Sequence, residues 1–597
     1  MNHRPPLSSP GLDTATMAWL ALLAFTVGVY AFGLGGQYIP SIGDELVYSH
    51  IARLTAASRH WLPLVSELDQ MRNTKPPLLF WQAMLAGDWG RDWSMQALRA
   101  PSLLYTLLTA GAVLWSVRLI TGNLRTALAA ACVYLAFFCT FRFGRPYLTS
   151  APETFWLNLP MFWLLWQRLR AAPVTQAGGP GWLAHAGFGL ALGLGLAYKS
   201  FALIAPAAAA LWCAELLSGP ALKWRSVIEC TLKVCLSATL ALGIFALWFA
   251  LDPDPGAVWR EFVVGENAGK LSNDQGYWQL ALFGGGVSIW AQLLAYVQNA
   301  GLLAFVVLGL IGLGLKNALV AKSSAKEMPV HLVLLLCWLA VWLIVFTLPS
   351  QRSARYVIPA MPALAMLIAL CWQRIGRIWF ALSLLLCGIF IAALGRVAWA
   401  AHEIGIGSGI ELAATLSVVA AGLLLVLGGM LRPAWTRGCT IAASIAVYAS
   451  FGLSIAPLDG APGRYPDQVA AQLHHASIAV PNGFNGQFER FQFLLPGNRF
   501  IPYDSEERAA SRGKAAGSEL GHLLASHDAV IWLQSEPSEL TPPCAPDCKL
   551  LGWRWEVKGR HQRGEIHWGN LWYPQLWLFR REWLVTNGLP SSGVELR

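Results

Sequence analysis

The chain has 597 residues, 55% of them hydrophobic and 13% charged, with a mean hydropathy of +0.48; a soluble domain carries about twice that charged fraction. This excludes a string of ordinary soluble domains, because lipid must solvate most of the chain. The formal charge of +10 is spread along the chain and sorted by membrane side, so it gives no reason to expect a nucleic-acid partner.

Met17 to Gly36 carries no charge and is long enough to cross a bilayer. It is long for a signal peptide and many further spans follow, so an uncleaved first helix is expected. Spans of roughly 20 residues give about thirteen helices, with the N-terminus inside and the C-terminal segment outside. The inner loops then hold Arg118, Arg125, Arg168, Arg170, Lys223, Arg225, Lys316, Lys322, Lys326, Arg374, Arg377, Arg432 and Arg437, with Glu327 among few acids. That is the positive-inside pattern.

After the first span, Gln37 to Lys75 is polar and contains Ile51, Leu54, Trp61 and Leu62 near helical spacing. Short amphipathic helices in the membrane interface are expected there. Glycines at 187, 189, 193 and 195 follow no strand, and read as small residues for close helix packing rather than a nucleotide loop. A second outer loop runs from Asp252 to about Gly286.

From about Pro457 the composition changes. Helices are expected at Arg464–Ser477 and Glu519–Ser526, and strands at Arg499–Tyr503, Ala529–Gln534, Leu550–Lys558 and Leu571–Arg580. The fold class is therefore a polytopic all-α membrane domain, residues 1–456, with outer loops 37–98 and 252–288, followed by a small outer α/β domain, residues 457–597. Most cysteines read as core filling. Cys544 and Cys548 lie in a polar stretch outside the membrane, where a disulfide or a zinc pair stays open.

Arg142, Arg145, Lys199, Arg352 and Arg355 break the positive-inside pattern at the outer ends of separate helices. Each alone is more often a snorkelling or anchoring side chain. Together they suit a phosphate, which in a low-dielectric cleft needs more than one cation. Opposite stand Asp44 and Glu45. A carboxylate there can take a proton from an attacking hydroxyl, or can cap the helix that starts beside it; spacing favours neither.

The ordered series Gly43-Asp44-Glu45, Thr74-Lys75-Pro76-Pro77, Arg99-Ala100-Pro101-Ser102, Ala197-Tyr198-Lys199, Glu266-Asn267-Ala268-Gly269-Lys270 and Arg355-Tyr356-Val357-Ile358-Pro359 resembles the aminoarabinose lipid A transferases. These are bacterial members of the dolichyl-phosphate-mannose protein mannosyltransferase superfamily, with the GT-C fold. The resemblance implies an inner-membrane glycosyltransferase making an inverting transfer from an undecaprenyl-phosphate sugar to an outer-side acceptor: lipid A, another envelope glycan or a protein. It makes Asp44 the catalytic or acceptor-orienting carboxylate and Lys75, Lys199 and Arg355 the cations on the carrier phosphate; Arg145 and Arg352, from the set that breaks the positive-inside pattern, are expected to join them. Glu45, Tyr48, Glu153, Glu266, Asn267 and Tyr356 are expected on the acceptor side or behind these cations, and apolar grooves between helices are expected to hold the prenyl chain.

Three stretches depart from the family. Thr74 replaces a Glu, Ser150 replaces an Asp with Glu153 one turn on, and Ser272 to Trp278 lacks the usual His-rich run. A zinc site like that of the family is therefore not expected, and no metal ligand is assigned. A divalent cation on Asp44, Glu45 and Glu266 is left open without support from spacing. Two other readings are a transporter of lipid-linked sugars and a non-catalytic subunit handling them. The span centres are nearly free of charge and the halves are unrelated, which disfavours the transporter.

Overall fold

The computed structural model describes residues 13–36, 43–68, 71–170, 179–219, 223–267, 276–320, 328–459, 465, 467–482, 486–504, 519–536, 538–559, 561 and 563–588. Lys270, Lys322, Lys326, Glu327, Arg464 and most of Ser272–Trp278 lie outside the described residues.

The first eight α-helices are α1 Thr14–Ala31, α2 Gly43–Ser58, α3 Pro77–Ala86, α4 Met95–Thr121, α5 Leu124–Ala136, α6 Phe138–Gly144, α7 Ser150–Arg170 and α8 Trp182–Tyr198. Local chemistry sets their ends. The Asp13 side chain accepts from the Thr16 N–H to cap α1, Pro77 opens α3, and the left-handed Gly122 closes α4 before Asn123 caps α5. Among the described residues, seven helices are long and apolar enough to cross a membrane, or eight if the pair α5 and α6, bent by 64°, is one span. Shorter apolar helices lie between them, including α8, Val330–Val345 and Ala354–Leu370. The expected count of about thirteen depends on shorter helices crossing as well.

The small residues of α8 serve packing. A Cβ on Gly193 would lie 2.8 Å from Ile244 Cβ, and one on Gly195 2.7 Å from Leu157 Cγ. Both glycines allow a backbone approach that no larger residue permits.

The two ends of the membrane domain differ. α1 starts where Asp13 pairs with Arg125. It ends where Arg145 donates to the Tyr30 and Phe32 carbonyls and Arg99 to those of Leu34 and Gly36. Arg142, Arg145 and Arg99 thus gather at one end and Arg125 at the other. At the Arg99 end, α2 is not the interfacial helix expected. Glu45 to Ala52 are all buried, because membrane helices cover one side and the C-terminal domain the other.

The last long helix, Thr436–Ile455, leads into a five-stranded sheet: β1 Ser477–Asn482, β2 Arg499–Asp504, β3 Ala529–Leu533, β4 Lys549–Val557 and β5 Phe579–Thr586. Their order is β2-β1-β3-β5-β4; β1 pairs parallel with β2 and β3, while β5 pairs antiparallel with β3 and β4. Two expectations fail here. The helix before β1 is only Asp467–Gln472, so Ser477 opens a strand instead of ending a helix. The last strand begins at Phe579, because Pro574 starts a short 3-10 turn within the aromatic run read as strand. Cys544 and Cys548 form a disulfide.

Candidate functional site

A cavity of about 510 Å³ opens at the Arg99 end of the membrane domain. Asp44, Tyr48, Lys75, Lys199, Glu266, Asn267, Arg355 and Tyr356 all line it. Helix ends and short connections bring them together. Asp44 stands in the first turn of α2, Lys75 just before α3, Lys199 just after α8, and Arg355 in the 3-10 segment Ala354–Ala360. These are sites where a backbone direction change points a side chain into the gap between helices.

Each cation has a carboxylate partner. Lys75 Nζ donates to Glu266 Oε1 at 2.6 Å, Lys199 Nζ to Glu153 Oε1 at 2.8 Å, and Arg355 Nη1 to Asp44 Oδ2 at 3.1 Å. Glu153 is fully buried and is not a lining residue, so it anchors Lys199 from behind. Lys199 lies against Tyr356 and Lys75 against Tyr48, with 6.0 and 5.9 Å from ammonium to ring centre. Burial lowers the Lys199 ammonium below its ordinary value; Glu153 opposes the shift, while Arg355 and Lys75 add to it.

The loop carrying Lys75 is zipped onto the loop that begins at Asp252. Arg72 pairs with Asp254, Asn73 donates to Glu261, and Lys75 to Glu266. Ser200 Oγ in turn donates to Asn267 Oδ1 at 2.8 Å. The second loop therefore forms one wall of the cavity.

Three expected site residues lie elsewhere. Glu45 has no exposure and receives both Nε and Nη2 of Arg99, at 2.6 and 2.8 Å, together with the Tyr147 N–H. One residue along a helix is a rotation of about 100°, so Glu45 faces the helix bundle while Asp44 faces the cavity. Arg145 is also fully buried and is spent on the C-terminal carbonyls of α1, where a cation meets the negative helix end. Arg352 ties its own turn to the second loop, donating to the Thr347 and Val287 carbonyls and to Tyr277 Oη. None of the three lines the cavity.

Thr74, read above only as a departure, lines the cavity with Thr149, Ser200, Gln351 and Ser353. Lone hydroxyl and amide residues give no sequence signal of this kind. Among the described residues no three His, Cys, Asp or Glu are placed to hold a metal ion. The three acids considered for a cation have separate partners: Arg355 for Asp44, Arg99 for Glu45 and Lys75 for Glu266. These residues do not fit a metal centre as they stand.

A second cavity, about 700 Å³ and mostly apolar, lies between α6 and the helices Arg377–Glu403 and Thr436–Ile455. Arg142 lines it, with Phe138, Phe141 and Tyr448. Phe143 lies between the two sites, stacked by Arg142 at 5.7 Å and by Arg355 at 4.7 Å.

No protein-family model matches the chain. The undecaprenyl phosphate-alpha-4-amino-4-deoxy-L-arabinose arabinosyl transferase 1 of Sodalis glossinidius is 29% identical over 358 residues, which cover 59% of this chain and 58% of that protein. The corresponding transferase of Pectobacterium carotovorum is 25% identical over 344 residues, covering 57% and 56%. Each match thus spans less than two thirds of the relative's length. Among solved structures, ArnT from Cupriavidus metallidurans bound to undecaprenyl phosphate superposes with a TM-score of 0.57 at 16% identity, covering 96% of this chain and 98% of that one. This chain has the GT-C fold. The resemblance carried by the motifs is borne out, with a multi-pass membrane domain and a small mixed sheet at its C-terminal end.

Proposed function

We propose that the chain is a membrane glycosyltransferase that moves a sugar from a polyprenyl phosphate, of the undecaprenyl type, to an acceptor on the outer face of the inner membrane. The observation that carries this reading is the single cavity in which Asp44 meets Lys75, Lys199 and Arg355. Asp44 accepts the proton of the acceptor hydroxyl as that oxygen attacks the anomeric carbon. The bond to the carrier phosphate breaks on the opposite face, so the anomeric configuration inverts. The departing phosphate gains negative charge, and preorganised cations stabilise that charge most in the transition state.

The outward orientation rests on the basic loops, since Arg118 and Arg125 sit at the end of the bundle away from the cavity, as cytoplasmic loops do. Polyprenyl chains suit the apolar grooves between helices. Lipid A is the acceptor that the motif resemblance implies, and the lipid carrier and acceptor are this protein's partners in the reading. The test is transfer by the purified full-length chain from undecaprenyl-phosphate aminoarabinose to lipid A, beside mass spectrometry of envelope lipids and glycans from a deletion strain. An unchanged envelope and no transfer would end the proposal.

A further inference from the structure

A carboxylate of the C-terminal domain is tied to the helix that carries Asp44. Glu489, fully buried, receives Arg53 Nε at 2.5 Å and Arg53 Nη2 at 2.9 Å, and His50 Nδ1 lies 2.9 Å from its Oε2. Both partners are on α2, the helix whose first turn holds Asp44. His50 is fully buried, and its Nε2 accepts the Glu67 N–H at 3.2 Å. The ring proton is thereby placed on Nδ1, where it is donated to Glu489. Phe488 packs edge-on against the same ring at 5.3 Å.

A second contact touches the cavity wall itself. Gly486 has φ +73°, and a Cβ there would lie 2.8 Å from Val47 Cγ2 and 3.1 Å from Val47 Cα. Val47 lines the cavity. The segment Gly486 to Glu489 therefore bears on Val47, His50 and Arg53, which follow one another along α2 at turn spacing from Asp44.

We propose that Glu489 is a positioning residue: through His50 and Arg53 the C-terminal domain fixes α2, and so sets where Asp44 stands relative to Lys75, Lys199 and Arg355. The link to turnover rests on the reading of Asp44 as the proton acceptor, but the mechanical statement does not. A displacement of about 1 Å costs a catalytic group roughly a hundredfold, and a buried charge network is a rigid way to prevent one.

The experiment uses the purified full-length chain with E489Q, E489D and G486A. Hydrogen exchange is followed over α2 and the sheet, undecaprenyl phosphate binding is measured, and transfer is assayed from undecaprenyl-phosphate aminoarabinose to lipid A. For E489Q the expected result is faster exchange in α2 but not in β1 to β5, turnover lower by about 10- to 100-fold, and unchanged carrier affinity, because the three cations are untouched. E489D restores part of the turnover; G486A, which pushes on Val47 and strains the left-handed turn whose carbonyl accepts the Glu489 N–H, lowers it as well. Unchanged exchange in α2 would overturn the proposal, as would loosening of sheet and α2 together without rescue by E489D. If α2 loosens selectively while the unmodified chain transfers nothing, the positioning stands and the proposed activity falls.

Discussion

Arg355 donates to Asp44 Oδ2 at 3.1 Å, joining positions 311 residues apart at the wall of the main cavity. Both side chains are about one third exposed, at 34% and 38%, so water and ligands reach the pair and it holds loosely. In the proposed reaction a carrier phosphate would compete with Asp44 for the guanidinium, and its binding would release the carboxylate to take a proton. D44N should therefore lower transfer by at least about a hundredfold, the range of a lost general base, while carrier binding stays or tightens because Arg355 loses its internal partner. Transfer assays paired with undecaprenyl phosphate titration check this. Weaker carrier binding in D44N would contradict the exchange.

With Lys199 neutralising the carrier phosphate as proposed, transfer is expected to fall at alkaline pH. Burial already lowers its ammonium, and Glu153 is the group that opposes this. E153Q removes the opposition, so the Lys199 pKa falls further and the cation is lost at lower pH. Transfer that needs this cation is full below its pKa and declines as pH rises through it. The alkaline decline of the E153Q rate profile should lie at lower pH than that of the unmodified chain. Coincident profiles would remove Lys199 from the phosphate-neutralising role.

Glu45 and Arg99 predict the opposite pattern from their neighbour. The pair is fully buried and doubly hydrogen-bonded, and breaking such a pair from one side costs about 3–5 kcal/mol because a buried charge loses its counter-ion. E45Q should lower the thermal unfolding midpoint in detergent markedly, whereas D44N should leave it almost unchanged. Similar melts for the two variants would show that the structural distinction between these adjacent acids is wrong.

That distinction marks where the sequence stops being informative. Apolar runs disclosed the spanning helices because lipid solvation is a local requirement on each segment. Ordered motifs disclosed Asp44, Lys75, Lys199 and Arg355 as a group, and all four line one cavity. Sequence spacing did not separate Asp44 from Glu45, since their partners Arg355 and Arg99 come from different distant segments. Arg145 and Arg352 resemble Arg355 in position at helix ends, yet backbone carbonyls near them in space, from Tyr30 and Val287 among others, claim their donors. Glu489 carried no signal, because it meets His50 across 439 residues. In the C-terminal domain, the short apolar run of β1 lacks the length to be told from a helix end.

The glycines of α8 offer a test of packing that is independent of chemistry. At Gly193 a Cβ would meet Ile244 Cβ at 2.8 Å and the Ala241 backbone at 3.2 Å, both on the helix Trp224–Leu251, while at Gly187 nothing lies within 4 Å. Backbone cannot yield as a flexible side chain can, so G193A forces the two helices apart. Overpacking of this kind costs about 1–3 kcal/mol, while G187A gains up to about 1 kcal/mol of helix propensity and meets no neighbour. Because α8 ends at Tyr198, just before Lys199, separation at Gly193 also displaces a cation of the cavity. G193A is expected to lower both the unfolding midpoint and the affinity for undecaprenyl phosphate, and G187A neither. Parallel melts and titrations decide it; equal behaviour of the two variants would mean that the close approach of these helices does not hold Lys199 in place.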